Sequence, residues 1–213
     1  MSLVEHAPHY TAEEAAAIAH KLYGIKGRAR ALPSERDQNY QIECGGERFV
    51  LKIANAQEAP DLLDAQNHVL QHIAQAGGAA LGAHVLRTVA GETIGRTANG
   101  DGTSHFVRLL SYVPGTPLAL VRPHAPELLA DLGRFLGELD AALATFKHPA
   151  LQRTFHWDLA HAGAVVAEHS GAIDDPDRRA LVEGFLARFQ AGTLPRLAAL
   201  PHQAIHGDAN DYN

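Results

Sequence analysis

Cysteine occurs once, as Cys44, in a chain of 213 residues. That excludes an internal disulfide and a thiolate zinc site, and makes a reducing compartment, the cytoplasm, the expected location. Long apolar runs are also missing. No stretch approaches the roughly 20 residues that span a bilayer, and the opening "MSLVEHAPHY" lacks a basic start followed by an apolar core, so no membrane association is expected. Runs of Lys or Arg are absent, and 18 basic against 24 acidic residues leave a formal charge of -6, which argues against nucleic acid as a partner. Repeats and low-complexity tracts are lacking too. What remains is an ordinary globular composition, 46% hydrophobic, long enough for one large domain or two small lobes.

The stretch "TAEEAAAIAHKLYG" has Thr11 and Glu14 at capping-box spacing and closes at Gly24, which predicts a first helix. The period then changes to two: "NYQIEC" and "ERFVLKI" alternate around Gly45-Gly46 and predict a β-hairpin. Phe49, Leu51 and Ile53 share one strand face, so Lys52 points from the other beside Val50. A second helix starts at Pro60 and carries Leu62, Gln66, Val69 and Ile73 along one stripe, with the amide interrupting an apolar face. Three strand-like pieces follow, "AHVLRTV", "ETIGRT" and "SHFVRLLSYV", the last two joined by a turn at "ANGDG". Beyond "PGTPL" the chain reads helical to about residue 200, with Leu128, Leu132, Phe135, Leu139 and Phe146 on one side of its first helix. Strands first and helices afterwards predict an α+β chain in two lobes, a β-rich one over 1–113 with a helix laid across its sheet and a helical one over 114–213.

The final residues "HGDANDYN" set His206, Asp208 and Asn213 in the pattern His-x-Asp-x-x-x-x-Asn. A carboxylate and an amide five positions apart on one tight loop can orient an attacking hydroxyl and coordinate magnesium in phosphoryl transfer. Such chemistry also needs a cation on the nucleotide phosphates, and Lys52 is the candidate.

These segments resemble the aminoglycoside phosphotransferase and choline kinase family, which has the two-lobed fold of protein kinases. "FVLKIA" is similar to the third strand with its phosphate lysine, "FVRLLSYVPG" to the fifth strand and hinge, and "IHGDANDYN" to the catalytic loop. "LPSERDQNY" resembles the hydroxylysine kinase branch, some members of which are fused to an aminotransferase, so fusion to or association with such a domain is an implied partnership. The resemblance implies ATP or GTP as co-substrate, Mg2+, and a small amine or amino acid with a hydroxyl, such as hydroxylysine, as acceptor. It implies Asp208 as the base or hydroxyl-orienting group, Asn213 as a metal ligand, His206 as a support for the loop, and Lys52 on the α- and β-phosphates. Ser34, in a glycine-free loop running to Asn39, would cover the phosphates, and the backbone of Ser111 and Val113 would meet the purine edge.

Two departures from the family stand out. Gln66 fills the helix slot where a glutamate usually pairs with the lysine, while Asp64 lies about 200° away around the helix and Glu58 sits in the preceding loop. The family also continues past the catalytic loop into a metal-binding aspartate and further helices. These residues are therefore expected to be part of a longer kinase, incomplete in the helical lobe and with little activity alone. The alternative is a non-catalytic, pseudokinase-like nucleotide-binding or regulatory module. Elsewhere, His68 and His72 stand four apart on one helix face, near enough to share an ion, with no third ligand assignable. "FHWDLAH" is similar to the family's acceptor-side region and is equally explained as a helix start anchored by a buried Trp157.

Overall fold

The computed structural model describes residues 6–76, 82–155 and 157–212. The chain divides into two compact units, Met1–Ala150 with Ala204–Asn213, and Leu151–Gln203.

The first unit is built on one antiparallel sheet. Helix α1 (Ala12–Tyr23) begins at a complete capping box, with Thr11 and Glu14 each accepting the other's backbone N–H, and ends at Gly24 in the left-handed region. Strands β1 (Arg28–Leu32), β2 (Gln38–Cys44) and β3 (Glu47–Ile53) follow. The turn between β2 and β3 needs positive φ at both central residues, which Gly45 and Gly46 supply. Helix α2 (Pro60–Gln75) leads to β4 (Val85–Leu86), β5 (Gly95–Ala98) and β6 (Ser104–Ser111). The sheet order is β1-β2-β3-β6-β4, with β5 also on β6. Helix α3 (Pro126–Leu143) completes the long elements of this unit.

Alternation decides which side of the sheet is greasy. Tyr40, Ile42, Leu51, Ile53, Val107 and Leu109 project to one face and pack against Ala15, Ile18, Ala19 and Tyr23 of α1. The odd-even partners therefore line the opposite face: Asn39 opposes Lys52, and Lys52 opposes Arg108. A second cluster joins α2 to α3 through Ile73, Leu139 and Leu143, with Val69, Phe146 and Ala204 against it. Ala204 thus anchors the approach to the terminal loop. Phe135 of the expected α3 stripe is exposed, whereas Leu143, one turn beyond Leu139, is buried.

Strand β1 has no counterpart in the sequence reading. Its start is closely packed, since a Cβ on Gly27 would lie 2.3 Å from the Glu43 carbonyl oxygen. Gly27→Ala should therefore cost about 1–3 kcal/mol, because main chain must move to admit the methyl. Urea unfolding of the two proteins measures this.

The second unit contains α4 (Ala162–His169), α5 (Pro176–Arg188) and the short α6 (Leu194–Leu197). Asp175 caps α5 by accepting from the N–H groups of Asp177 and Arg178. Trp157 is 80% exposed, so it is not the buried anchor of a helix start; that task falls to Asp158, which accepts from Ala160 N–H and pairs with His161 at 3.0 Å. Among the described residues no helix is long and apolar enough to cross a membrane.

Candidate active site

The polar face of the sheet gathers three of the residues singled out by sequence, directly or through one neighbour. Lys52 is half-buried, and its Nζ donates to Asn39 Oδ1 at 3.1 Å. The Asn39 amide in turn donates to Ser34 Oγ at 3.3 Å, and Ser34 Oγ donates to the Asp37 carbonyl at 2.5 Å. A continuous hydrogen-bonded path thus ties the glycine-free loop to the ammonium. Asp37 Oδ1 accepts the Asn55 N–H at 3.0 Å, which fastens the far side of that loop. Side chains hold this loop where a glycine-rich loop would rely on its backbone.

Gln66 belongs to the same group through Arg108. The Arg108 guanidinium is 4% exposed and donates to Gln66 Oε1 at 2.5 Å and to Asn67 Oδ1 at 3.0 Å. Asn67 is itself buried and donates to the Thr93 carbonyl. Among the described residues Lys52 makes no ion pair, and Glu58 is engaged by Arg36 at 3.5 Å. Burial pushes the Lys52 ammonium below its ordinary range, the adjacent Arg108 charge pushes it further, and Asp37 opposes both. Arg108 is likewise lowered by burial, against support from Asp37, Tyr23 and Glu58.

Two cations directly opposite on neighbouring strands repel, and burial magnifies the effect. Sequence reasoning missed Arg108, although the alternation that isolates Lys52 isolates it equally: in "SHFVRLLS" it stands out of phase with Val107 and Leu109.

At the end of β6, Ser111 N–H donates to the His84 carbonyl and Ser111 Oγ accepts the His84 N–H, both at 2.8 Å. The Ser111 N–H is therefore already engaged, which leaves its carbonyl and hydroxyl hydrogen for a ligand. Val113 is 57% exposed, and between them the Arg48 guanidinium covers the Tyr112 ring at 4.2 Å.

The terminal loop is a separate constellation. Gly207 takes φ 76°, turning the chain so that Asp208 N–H donates to His206 Nδ1 at 3.3 Å. Asn210 Nδ2 donates to Asp208 Oδ1 at 3.0 Å, and Tyr212 N–H donates to Asn210 Oδ1 at 2.9 Å. The Asp211 carbonyl accepts from Ala119 N–H at 2.7 Å, tying the loop to the segment between β6 and α3. Asp208 is exposed, and Asn213 lies outside the described residues.

The histidine pair on α2 does not converge. His72 Nε2 meets the Ala142 carbonyl at 3.0 Å, while His68 Nδ1 and His148 Nε2 both approach Asp64, at 3.1 and 3.4 Å. His148 Nδ1 accepts the Ala150 N–H, which leaves its Nε2 facing Asp64.

The model of the phosphotransferase enzyme family matches residues 28–213. The chain belongs to that family. Hydroxylysine kinase of Mus musculus is 31% identical over 224 residues, covering 97% of this chain and 58% of that protein. The Danio rerio hydroxylysine kinase is 31% identical over 225 residues, covering 100% of this chain and 62% of that one. The chain thus spans about three-fifths of the length of the curated relatives it matches. An amicoumacin kinase in complex with AMP-PNP, Ca2+ and Ami superposes with a TM-score of 0.65 at 14% identity, covering 91% of this chain and 55% of the other. A spectinomycin phosphotransferase in complex with ADP and spectinomycin gives 0.62 at 13% identity, covering 97% and 65%. The α+β, protein-kinase-like fold expected from sequence is the fold observed.

Proposed function

We propose that this chain is the nucleotide-binding and catalytic-loop portion of a small-molecule kinase that transfers the γ-phosphate of ATP or GTP to a hydroxyl of a small amine or amino acid, with hydroxylysine as the first candidate. The observation that carries the reading is the pair of opposed cations, Lys52 and Arg108, beside a side-chain-braced loop. An anion relieves their repulsion, and a nucleotide's phosphates are the anion this family uses. The match to hydroxylysine kinases supports the acceptor class.

In this reading residues 1–113 bind nucleotide and 114–213 carry the transfer loop. Lys52 neutralises the α- and β-phosphates, and Ser34 holds the covering loop through Asn39 and Asp37. Gln66 acts through Arg108. The Ser111 carbonyl and the Val113 N–H meet the base edge. Asp208 orients the acceptor hydroxyl and takes its proton as the phosphoryl group moves in line. Asp208, Asp211 and Asn213 carry the hard oxygen donors that would hold Mg2+, and the ion when bound would neutralise phosphate charge. The transfer belongs in this reading to a kinase acting in the cytoplasm.

Calorimetry with ATP and with GTP, each with and without Mg2+, tests the reading. Saturable binding that tightens with Mg2+ is expected, followed by phosphate transfer to hydroxylysine in the full-length chain; binding of neither nucleotide refutes it. One observation favours a second reading, a non-catalytic nucleotide module: no carboxylate of α2 pairs with Lys52. Magnesium-independent binding without transfer would select that alternative.

A further inference from the structure

We propose that Arg108 is the positioning residue of the phosphate site: it clamps α2 to the sheet through the neutral amides of Gln66 and Asn67, which leaves the Lys52 ammonium unpaired by any helix carboxylate and available to an anionic ligand. This inference rests on the nucleotide-binding reading above and assigns a task to a side chain that the sequence motifs leave without one.

In the family arrangement implied by sequence, a helix glutamate pairs with the strand lysine, and one contact both neutralises the lysine and fixes the helix. Here the two jobs are separated. Arg108 spans two consecutive α2 residues, at 2.5 Å to Gln66 Oε1 and 3.0 Å to Asn67 Oδ1. Asn67 is 1% exposed and also donates to the Thr93 carbonyl, so the clamp runs from β6 through α2 to the chain before β5. A planar guanidinium can bridge two amide oxygens at once, and an ammonium cannot do so with the same geometry. Lys52 of β3, in register with Arg108 of β6, donates to the neutral amide of Asn39. The charged and titratable groups influencing this pair are Asp37 before β2, Glu58 before α2 and Tyr23 on α1. None of them lies on α2. The polar link between α2 and the sheet therefore runs through Arg108 and not through Lys52, beside the apolar packing of Ile73 and Val69.

The test measures ATP affinity against pH in wild type, Arg108→Met, Arg108→Lys, Asn67→Ala and Lys52→Met. Arg108→Met should bind ATP about tenfold more weakly at neutral pH, the worth of one charge-assisted bond, and its alkaline loss of affinity should move to higher pH because Lys52 no longer faces a second cation. Arg108→Lys should keep the wild-type alkaline limb yet still lose affinity, since it retains the charge without the fork. Asn67→Ala, which keeps both cations, should weaken ATP binding without moving the limb. A merely structural arginine would lower stability in every variant yet leave ATP affinity at the wild-type value in Arg108→Lys and Asn67→Ala. If Lys52→Met loses affinity while Arg108→Met, Arg108→Lys and Asn67→Ala all keep that of wild type, the clamp is wrong and the nucleotide reading stands. If Lys52→Met binds ATP as wild type does, the nucleotide reading itself fails.

Discussion

Asp208→Asn should lower phosphate transfer by about 10²- to 10⁴-fold in the full-length chain, the range for a lost general base, with ATP affinity and thermal stability close to wild type. The substitution is nearly isosteric, and an amide oxygen at position 208 can still accept from Asn210 Nδ2, which now lies at 3.0 Å. Backbone contacts within the loop survive as well, because the His206 Nδ1 bond and the tie from Ala119 N–H to the Asp211 carbonyl use main-chain donors. What disappears is the negative charge and the capacity to take a proton. A fall in kcat with unchanged KM for ATP would fit a group that acts on the acceptor hydroxyl as the phosphoryl group moves. Unaltered turnover would remove Asp208 from that role.

Much of this architecture can be read locally. Thr11, Glu14 and Gly24 bound α1, Gly45-Gly46 set the hairpin, and strict alternation in β3 isolates Lys52 on the polar face. The terminal loop was legible because its chemistry is concentrated within eight residues. Strand β1 was not, since "RARAL" alternates arginine with alanine and presents no apolar stripe. Its place is fixed by pairing with β2 and by the glycine-tight approach at Gly27. The pairing of Lys52 with Arg108 joins residues far apart in sequence, and no local pattern encodes which register two such strands adopt. Gln66 illustrates the same limit. It reads as an amide interrupting the inward stripe of α2, yet it is exposed and the buried amide of the helix is its neighbour Asn67; that both reach Arg108 on β6 depends on how helix and sheet meet. Trp157 failed as a core marker because residue type alone does not say which surfaces of a short segment find cover.

Lys52→Met should move stability and binding in opposite directions. Loss of one charge-assisted contact to phosphate corresponds to about 10- to 100-fold weaker ATP binding. The apo fold, by contrast, should gain stability at neutral pH. Burial and Arg108 hold the folded-state pKa of Lys52 below its ordinary 10.5, so the native state carries a charge it disfavours. Between the lowered value and 10.5 the unfolded chain binds more protons than the native one, and stability therefore rises with pH through that window. Below the window the full penalty is present. Methionine removes it while retaining most of the apolar stem, and each kcal/mol recovered in a chain of this size raises Tm by about 2–4 °C. The diagnostic result is a higher Tm near pH 7 whose margin over wild type shrinks as pH climbs toward 10.5, together with the loss of ATP binding. A lysine that served only the fold would give the reverse, a variant that melts earlier and binds nucleotide unchanged. The cost to the empty protein of holding two cations face to face is thus the measurable counterpart of its readiness for an anionic ligand.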